Sequence, residues 1–271
     1  MNLEEQLRRE RDAVPPNPLV DRTDQIVARV RRRRAGRFAT AAVGSVAALA
    51  VVAVFVGQLL PRETPPAEPS PTGVVSLPAG EGVVVEPGAY VFPVIDTAAW
   101  PTMLPVITVP PGFSGTDGGD AVIVGHDEGS NDARQLRIWN VDAVYSHPCS
   151  DERHALTVGP TAADLANALA AQPLRAGTTP VPVTIGGYDG YYVKVSVPDD
   201  IDIAACPGGK FYSWPGRWQQ APGQVDMLWI VEVEGQRLVF DAWTLPGVTP
   251  EQTTQLQQMV TTATFTPTDT L

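Results

Sequence analysis

The densest run of side chains able to do chemistry is His147-Pro148-Cys149-Ser150-Asp151-Glu152-Arg153-His154. Imidazole, thiolate and carboxylate together could ligate a metal ion such as zinc, which takes nitrogen, sulfur and oxygen donors. Pairing Cys149 with the other cysteine, Cys206, withdraws the thiolate and leaves His147, His154 and Asp151 without a fourth ligand at a recognised spacing, so no metal is expected. A serine hydrolase would need a nucleophile elbow of the Gly-x-Ser-x-Gly type. Phe113-Ser114-Gly115 lacks the first glycine, and three histidines in the chain leave few general bases. The acids at Asp117 and Asp120, and at Asp199, Asp200 and Asp202, do not follow the twelve-residue calcium-loop spacing and read as solvated loop residues. Phosphate-binding glycine patterns are absent as well. The expectation is a protein that is not an enzyme, with no catalytic residue and no cofactor.

A second run suggests recognition instead. Residues 211–218 read Phe-Tyr-Ser-Trp-Pro-Gly-Arg-Trp, and aromatic rings with an arginine on a loop can stack on sugars or peptides. Tyr212, Trp214, Arg217 and Trp218 are the candidate ligand-binding residues. The competing reading has the same rings covering a disulfide and closing one end of a sheet.

These residues must be positioned by the elements around them, and from residue 79 onward the patterning is that of one folded domain, 79–271. Strands are predicted at 90–94, 104–109, 120–126, 135–141, 181–186, 190–198, 226–234 and 237–244, from short apolar runs bounded by turn residues. In 190–197, Tyr191, Val193, Val195 and Val197 alternate with Tyr192, Lys194 and Ser196, the period of a strand with one buried face. Gly186, Gly187, Asp189 and Gly190 predict one hairpin turn, and Glu234-Gly235 another. Thr161 with Asp164, and Thr249 with Pro250 and Gln252, are helix-start signals of the capping-box kind. A short strand is expected at Phe265. Hairpins interrupted by two helices predict an α+β fold, a mainly antiparallel sheet flanked by two helices.

Ahead of this domain the chain changes character three times. Residues 61–78 are rich in proline and read as an extended linker. Residues 38–60 carry no charge and only Thr40, Ser45 and Gln58 as polar side chains. As a helix they would extend roughly 35 Å, enough for a hydrocarbon core of about 30 Å, so a single transmembrane helix is predicted to precede the domain. Residues 1–37 hold ten arginines against six acids, while 61–271 hold nine basic against 24 acidic residues, giving +4 and -15 within a total of -11. Arg31, Arg32, Arg33, Arg34 and Arg37 stand immediately before the apolar run and only Arg62 closely after it. This bias puts the N-terminus in the cytoplasm and the large domain outside. A cleaved signal peptide is the alternative, which the long basic preface, the long apolar run and the lack of a small-x-small site after it disfavour. On the outer side Cys149 and Cys206 are expected to form a disulfide. The tail's arginines suit an anionic bilayer surface, and the tail could also dock a cytoplasmic partner. A net charge of -15 repels nucleic acid.

Several segments resemble extracytoplasmic domains of actinobacterial membrane proteins and lipoproteins: VPPGF at 109–113, GPTAADLANAL at 159–169, TIGGYDGYYVKVSVP at 184–198, and the last tryptophan-containing hairpin followed by a helix and TATFTP. The order of elements over roughly 100–267 also looks like the Mog1/PsbP-like fold. The resemblance implies an antiparallel sheet with flanking helices and an envelope location, and it brings no catalytic residues. The tail and span are similar in layout to membrane-tethered anti-sigma factors, but residues 1–37 contain no His or Cys and so lack the zinc motif of that group. Topology then predicts a membrane-anchored binding or sensing domain for an extracytoplasmic ligand or protein. The alternative is a structural or assembly factor of the cell envelope with no signalling role.

Overall fold

A computed structural model of the chain describes residues 75–95, 101–125, 130–150 and 154–270. The arginine-rich tail 1–37 and the apolar run 38–60 lie outside the described residues. Among the described residues no helix is long and apolar enough to cross a membrane.

The strands in chain order are β1 (Val75–Ser76), β2 (Val84–Val85), β3 (Gly88–Val91), β4 (Met103–Val109), β5 (Phe113–Gly115), β6 (Ala121–Val124), β7 (Arg134–Trp139), β8 (Ala143–Tyr145) and β9 (Ala155–Thr157). Helix α1 (Ala162–Ala170) follows, then β10 (Ala176–Gly177), β11 (Val181–Ile185), β12 (Tyr188–Ser196), β13 (Phe211–Trp214), β14 (Arg217–Gln219), β15 (Val225–Val233) and β16 (Gln236–Thr244). Helix α2 (Pro250–Thr261) and β17 (Thr264–Pro267) follow, and a 3-10 turn at Thr268–Thr270 ends the described chain. The main sheet runs β10-β12-β15-β16-β7-β6-β5-β2 with β11 also on β12, its pairs antiparallel, and a second sheet runs β1-β3-β4-β17. The fold is α+β and mainly antiparallel, as the patterning predicts.

Alternation divides the main sheet into two faces. Met227, Trp229, Val231 and Val233 of β15, with Leu238, Phe240 and Ala242 of β16 and Leu136 and Ile138 of β7, pack with Ile107 and Val109 of β4 and with Leu256, Met259 and Val260 of α2. The opposite residues, Val193, Leu228, Ile230, Val239 and Trp139, pack against Leu165, Ala166 and Leu169 of α1. The two helices therefore cover opposite faces. Both start as predicted: Thr161 accepts from the Asp164 amide and Thr249 from the Gln252 amide, each with the reciprocal side-chain bond that completes a capping box. Leu165 and Leu169 are wholly buried, and burying each contributes roughly 2 kcal/mol.

Three boundaries differ from expectation. The last residues of the proline-rich stretch already belong to the fold, because β1 pairs in parallel with β3 and Leu77 joins the core. The predicted strand at 104–109 leaves the main sheet for the second one, where it pairs with β3 and β17. The turn before β12 is Gly186-Gly187 alone, both at positive φ, with Ile185 opposite Tyr188. Asp189 and Gly190 already belong to the strand. Gly190 faces the backbone of β15 so closely that a Cβ there would stand 2.0 Å from the Ile230 carbonyl oxygen. Glu234-Gly235 forms the other predicted turn, with Val233 opposite Gln236.

Candidate functional site

The stretch at 211–218 is not a loop. It folds as the hairpin β13–β14, with Gly216 at φ 83° taking the left-handed position after Pro215. Alternation then assigns directions. Phe211 and Ser213 point inward from β13, and Arg217 and Gln219 from β14, while Tyr212 and Trp218 point outward. A register shift between Tyr212 and Trp214 breaks the alternation and turns Trp214 inward as well. The four candidate binding residues are thus divided. Trp214, 1% exposed, meets Trp139 edge to face at 5.8 Å, and the Arg217 side chain is only 7% exposed. Neither presents its ring or charge to a ligand, which corrects the expectation for these two positions. Tyr212 is half-buried, and Trp218 is 37% exposed.

The inward residues close over a buried charge network on the half of the sheet that α1 leaves uncovered. Strand register places Asp226 of β15 beside Trp243 of β16 and Gln135 of β7, and Leu228 beside Asp241 and Arg137. Asp226 accepts four bonds: Arg217 Nη2 at 2.9 Å and Gln224 Nε2 at 2.9 Å on Oδ1, Arg175 Nη2 at 2.6 Å and Gln219 Nε2 at 2.7 Å on Oδ2. Asp241 accepts Arg217 Nε at 2.6 Å and Trp139 Nε1 at 3.2 Å, both on Oδ2. Arg217 therefore bridges two buried carboxylates, and Arg175 adds a second cation from the connection after α1. Burial alone would raise the Asp226 carboxyl, but Arg217 and Arg175 overcome it and hold the group below the ordinary carboxylate value. Asp241 goes the other way, raised by burial against the opposing pull of Arg217.

The hairpin is pinned from its edges too. Gln172, just past α1, donates to the carbonyls of Ser213 at 2.7 Å and Tyr145 at 2.9 Å, joining β13 to β8. Tyr212 N donates to the Pro148 carbonyl at 2.9 Å. Cys149 and Cys206 form the expected disulfide, packed with Phe211, Ile203 and Val197. Of the hairpin's rings, Phe211 packs on the disulfide and Trp214 joins the core beside Trp139, while Tyr212 and Trp218 face outward.

On the outer side a row of aromatic rings results. Tyr145 meets Tyr212 edge to face at 5.7 Å, Tyr212 lies 6.4 Å from Trp218, and Lys210 Nζ sits 3.8 Å from the centre of the Trp218 ring. Tyr145 and Lys210 escape sequence reasoning. Tyr145 is 67 positions from Tyr212 and lies in a three-residue strand, and Lys210 is an ordinary flanking residue until its side chain is seen over the indole.

Among the described residues the other candidate chemistry is not assembled. His147 Nδ1 lies 3.0 Å from Ser146 Oγ, and the His154 amide donates to the same hydroxyl. Asp151 is outside the described residues, and among the described residues no three His, Cys, Asp or Glu side chains converge as a metal site. Asp120 accepts Thr116 Oγ1 and Arg137 Nη2, and Asp117 accepts the Glu81 amide, around an open cleft of about 350 Å³. Asp202 caps a short 3-10 turn through the Ala204 amide.

No protein-family model matches the chain, and no curated protein matches it. Among solved structures it is similar to LpqN, a protein involved in cell envelope biogenesis of Mycobacterium tuberculosis, with 12% identity and a TM-score of 0.33 over 64% of this chain and 88% of that one. A likeness at that level transfers neither a detailed fold nor an activity.

Proposed function

We propose that the chain is a membrane-anchored binding protein of the cell envelope, whose domain recognises an extracytoplasmic ligand or protein through the outer face of the β13–β14 hairpin. One observation carries the reading: the outward rings Tyr212 and Trp218, with Tyr145 of β8 against Tyr212, belong to a hairpin whose inward side is bonded to a buried Arg–Asp network. Aromatic side chains held this firmly lose little conformational freedom on binding, which favours affinity. The Cys149–Cys206 disulfide supports an oxidising, extracytoplasmic setting. Residues 38–60 would supply the anchor in the lipid bilayer, with Arg31, Arg32, Arg33, Arg34 and Arg37 holding its cytoplasmic end. The tail 1–37 would be the segment available to a cytoplasmic partner. Binding, and not catalysis, is the assigned role.

Cross-linked affinity capture with the full chain tests this. Wild type should recover an extracytoplasmic partner that Trp218→Ala and Tyr212→Ala lose while their thermal unfolding stays close to wild type. Equal recovery by all three would remove the hairpin face from the reading. Deleting residues 2–28 separates sensing from envelope assembly. A sensor loses its cytoplasmic output, whereas an assembly factor that keeps Arg29 to Arg37 works unchanged.

A further inference from the structure

The distribution of charge narrows what the aromatic face can bind. Of the cations beyond residue 61, Arg134, Arg217 and Arg237 are buried, Arg175 has no side-chain exposure, and Arg137 is paired with Asp120. Among the described residues that leaves Lys194 and Lys210 as the cations outside the core and unpaired with a carboxylate. Against them, fifteen of the seventeen described carboxylates lie outside the core, all but Asp226 and Asp241. Among the described residues most arginines lie inside the domain and the acids lie on its surface, so the described surface is more acidic than the composition of those residues indicates.

Such a field gathers cations and repels polyanions before contact. At contact, the electron-rich face of an indole is the strongest aromatic partner for an ammonium group. The structure already holds one such pair, Lys210 Nζ at 3.8 Å from the centre of the Trp218 ring, and Tyr212 stands beside it. Resting on the hairpin-face reading above, we infer that the ligand class of this surface is a basic peptide, an amine of which replaces Lys210 over Trp218. Lys210 is then a built-in competitor: it occupies the ring in the free protein and must swing out toward solvent when the peptide binds. Long-range attraction by the acidic surface and short-range capture by the indole both select the same charge, and neither favours an anionic envelope polymer.

The test is calorimetric titration of the full chain, in nanodiscs of zwitterionic lipid, with tetralysine and separately with the neutral saccharide chitotetraose. Tetralysine should bind wild type, more weakly as salt is raised. Lys210→Met, which keeps the aliphatic stem but frees the ring, should bind two- to fivefold tighter, roughly the worth of one exposed cation–aromatic pair. Trp218→Ala should bind roughly tenfold more weakly, and Trp218→Phe should recover part of the loss. Thermal unfolding of each variant verifies that the domain is intact. Tetralysine binding that is indifferent to Trp218 would overturn the inference, since the acidic surface alone would then account for it. Chitotetraose binding that depends on Trp218, without tetralysine binding, would also overturn it while leaving the hairpin face as a binding surface. If neither probe depends on Trp218, and capture by the Trp218→Ala chain matches wild type, both readings fall.

Discussion

Asp226 is the residue on which the interior of the hairpin depends, because it satisfies four donors, two of them guanidinium groups. Removing its carboxylate leaves the buried Arg175 guanidinium without a carboxylate partner and Arg217 with Asp241 alone, and breaking a buried pair in this way costs on the order of 3–5 kcal/mol. Asp226→Ala is therefore expected to lower unfolding stability in urea by that amount. The pH dependence follows from the same contacts. A carboxyl held below its ordinary value of 3.8 contributes stability that is fully present above that value and is lost as pH falls through the lower folded value. Acid unfolding of the wild type should therefore draw on Asp226 below about pH 4. Asp241 carries the opposite sign. Its folded value is raised, so its ionisation withdraws stability as pH climbs above the ordinary value. The stability of Asp241→Asn relative to wild type should accordingly improve as pH rises from about 4 toward neutrality, measured by thermal unfolding across that range. Arg217, whose type and neighbours suggest ligand contact, belongs to this interior chemistry, and its substitution is expected to act on stability before it acts on binding.

At the scale of elements, the features legible in advance were those with local causes. The Thr249–Gln252 and Thr161–Asp164 caps, the Gly186-Gly187 and Glu234-Gly235 turns, and the alternation in β12 depend on residues within a few positions of one another. The β13–β14 hairpin escaped that reading because Trp-Pro-Gly-Arg breaks the apolar period, and the bulge that aims Trp214 inward has no sequence mark. The disulfide ties the connection that leads into this hairpin to the loop after β8. Closing 57 residues, it restricts the unfolded chain by about 4 kcal/mol. The Cys149→Ser/Cys206→Ser double variant is expected to unfold at lower urea by an amount of that order, and the loss should be felt first around Phe211 and Tyr212. Hydrogen exchange of the β13 amides, faster in the variant than in the oxidised wild type, would localise it.

At the scale of the whole molecule, charge and hydropathy organise the chain. The +4 tail, the uncharged run at 38–60 and the -15 remainder predict an N-in, C-out anchor. A reporter enzyme active only outside the cytoplasm, fused after Leu271, is expected to be active. Replacing Arg31, Arg32, Arg33, Arg34 and Arg37 together by neutral residues should reduce that activity, since the orienting bias is then lost. A fusion active only in the cytoplasm would defeat the topology and with it the extracytoplasmic binding role. The sequence by itself determined the class of fold, the two helices and their starts, most strands of the main sheet and the cysteine pair, because periodicity, capping and turn chemistry act over a few residues and only two cysteines were present. Tertiary structure alone decided which side chains of 211–218 face solvent, that Arg175 and Arg217 meet Asp226 and Asp241, and that Tyr145 and Lys210 flank the outward rings. The reason is physical. Burial of a charge is stable only when partners from distant strands arrive together, and no local pattern records where a register shift and a sheet pairing will bring them.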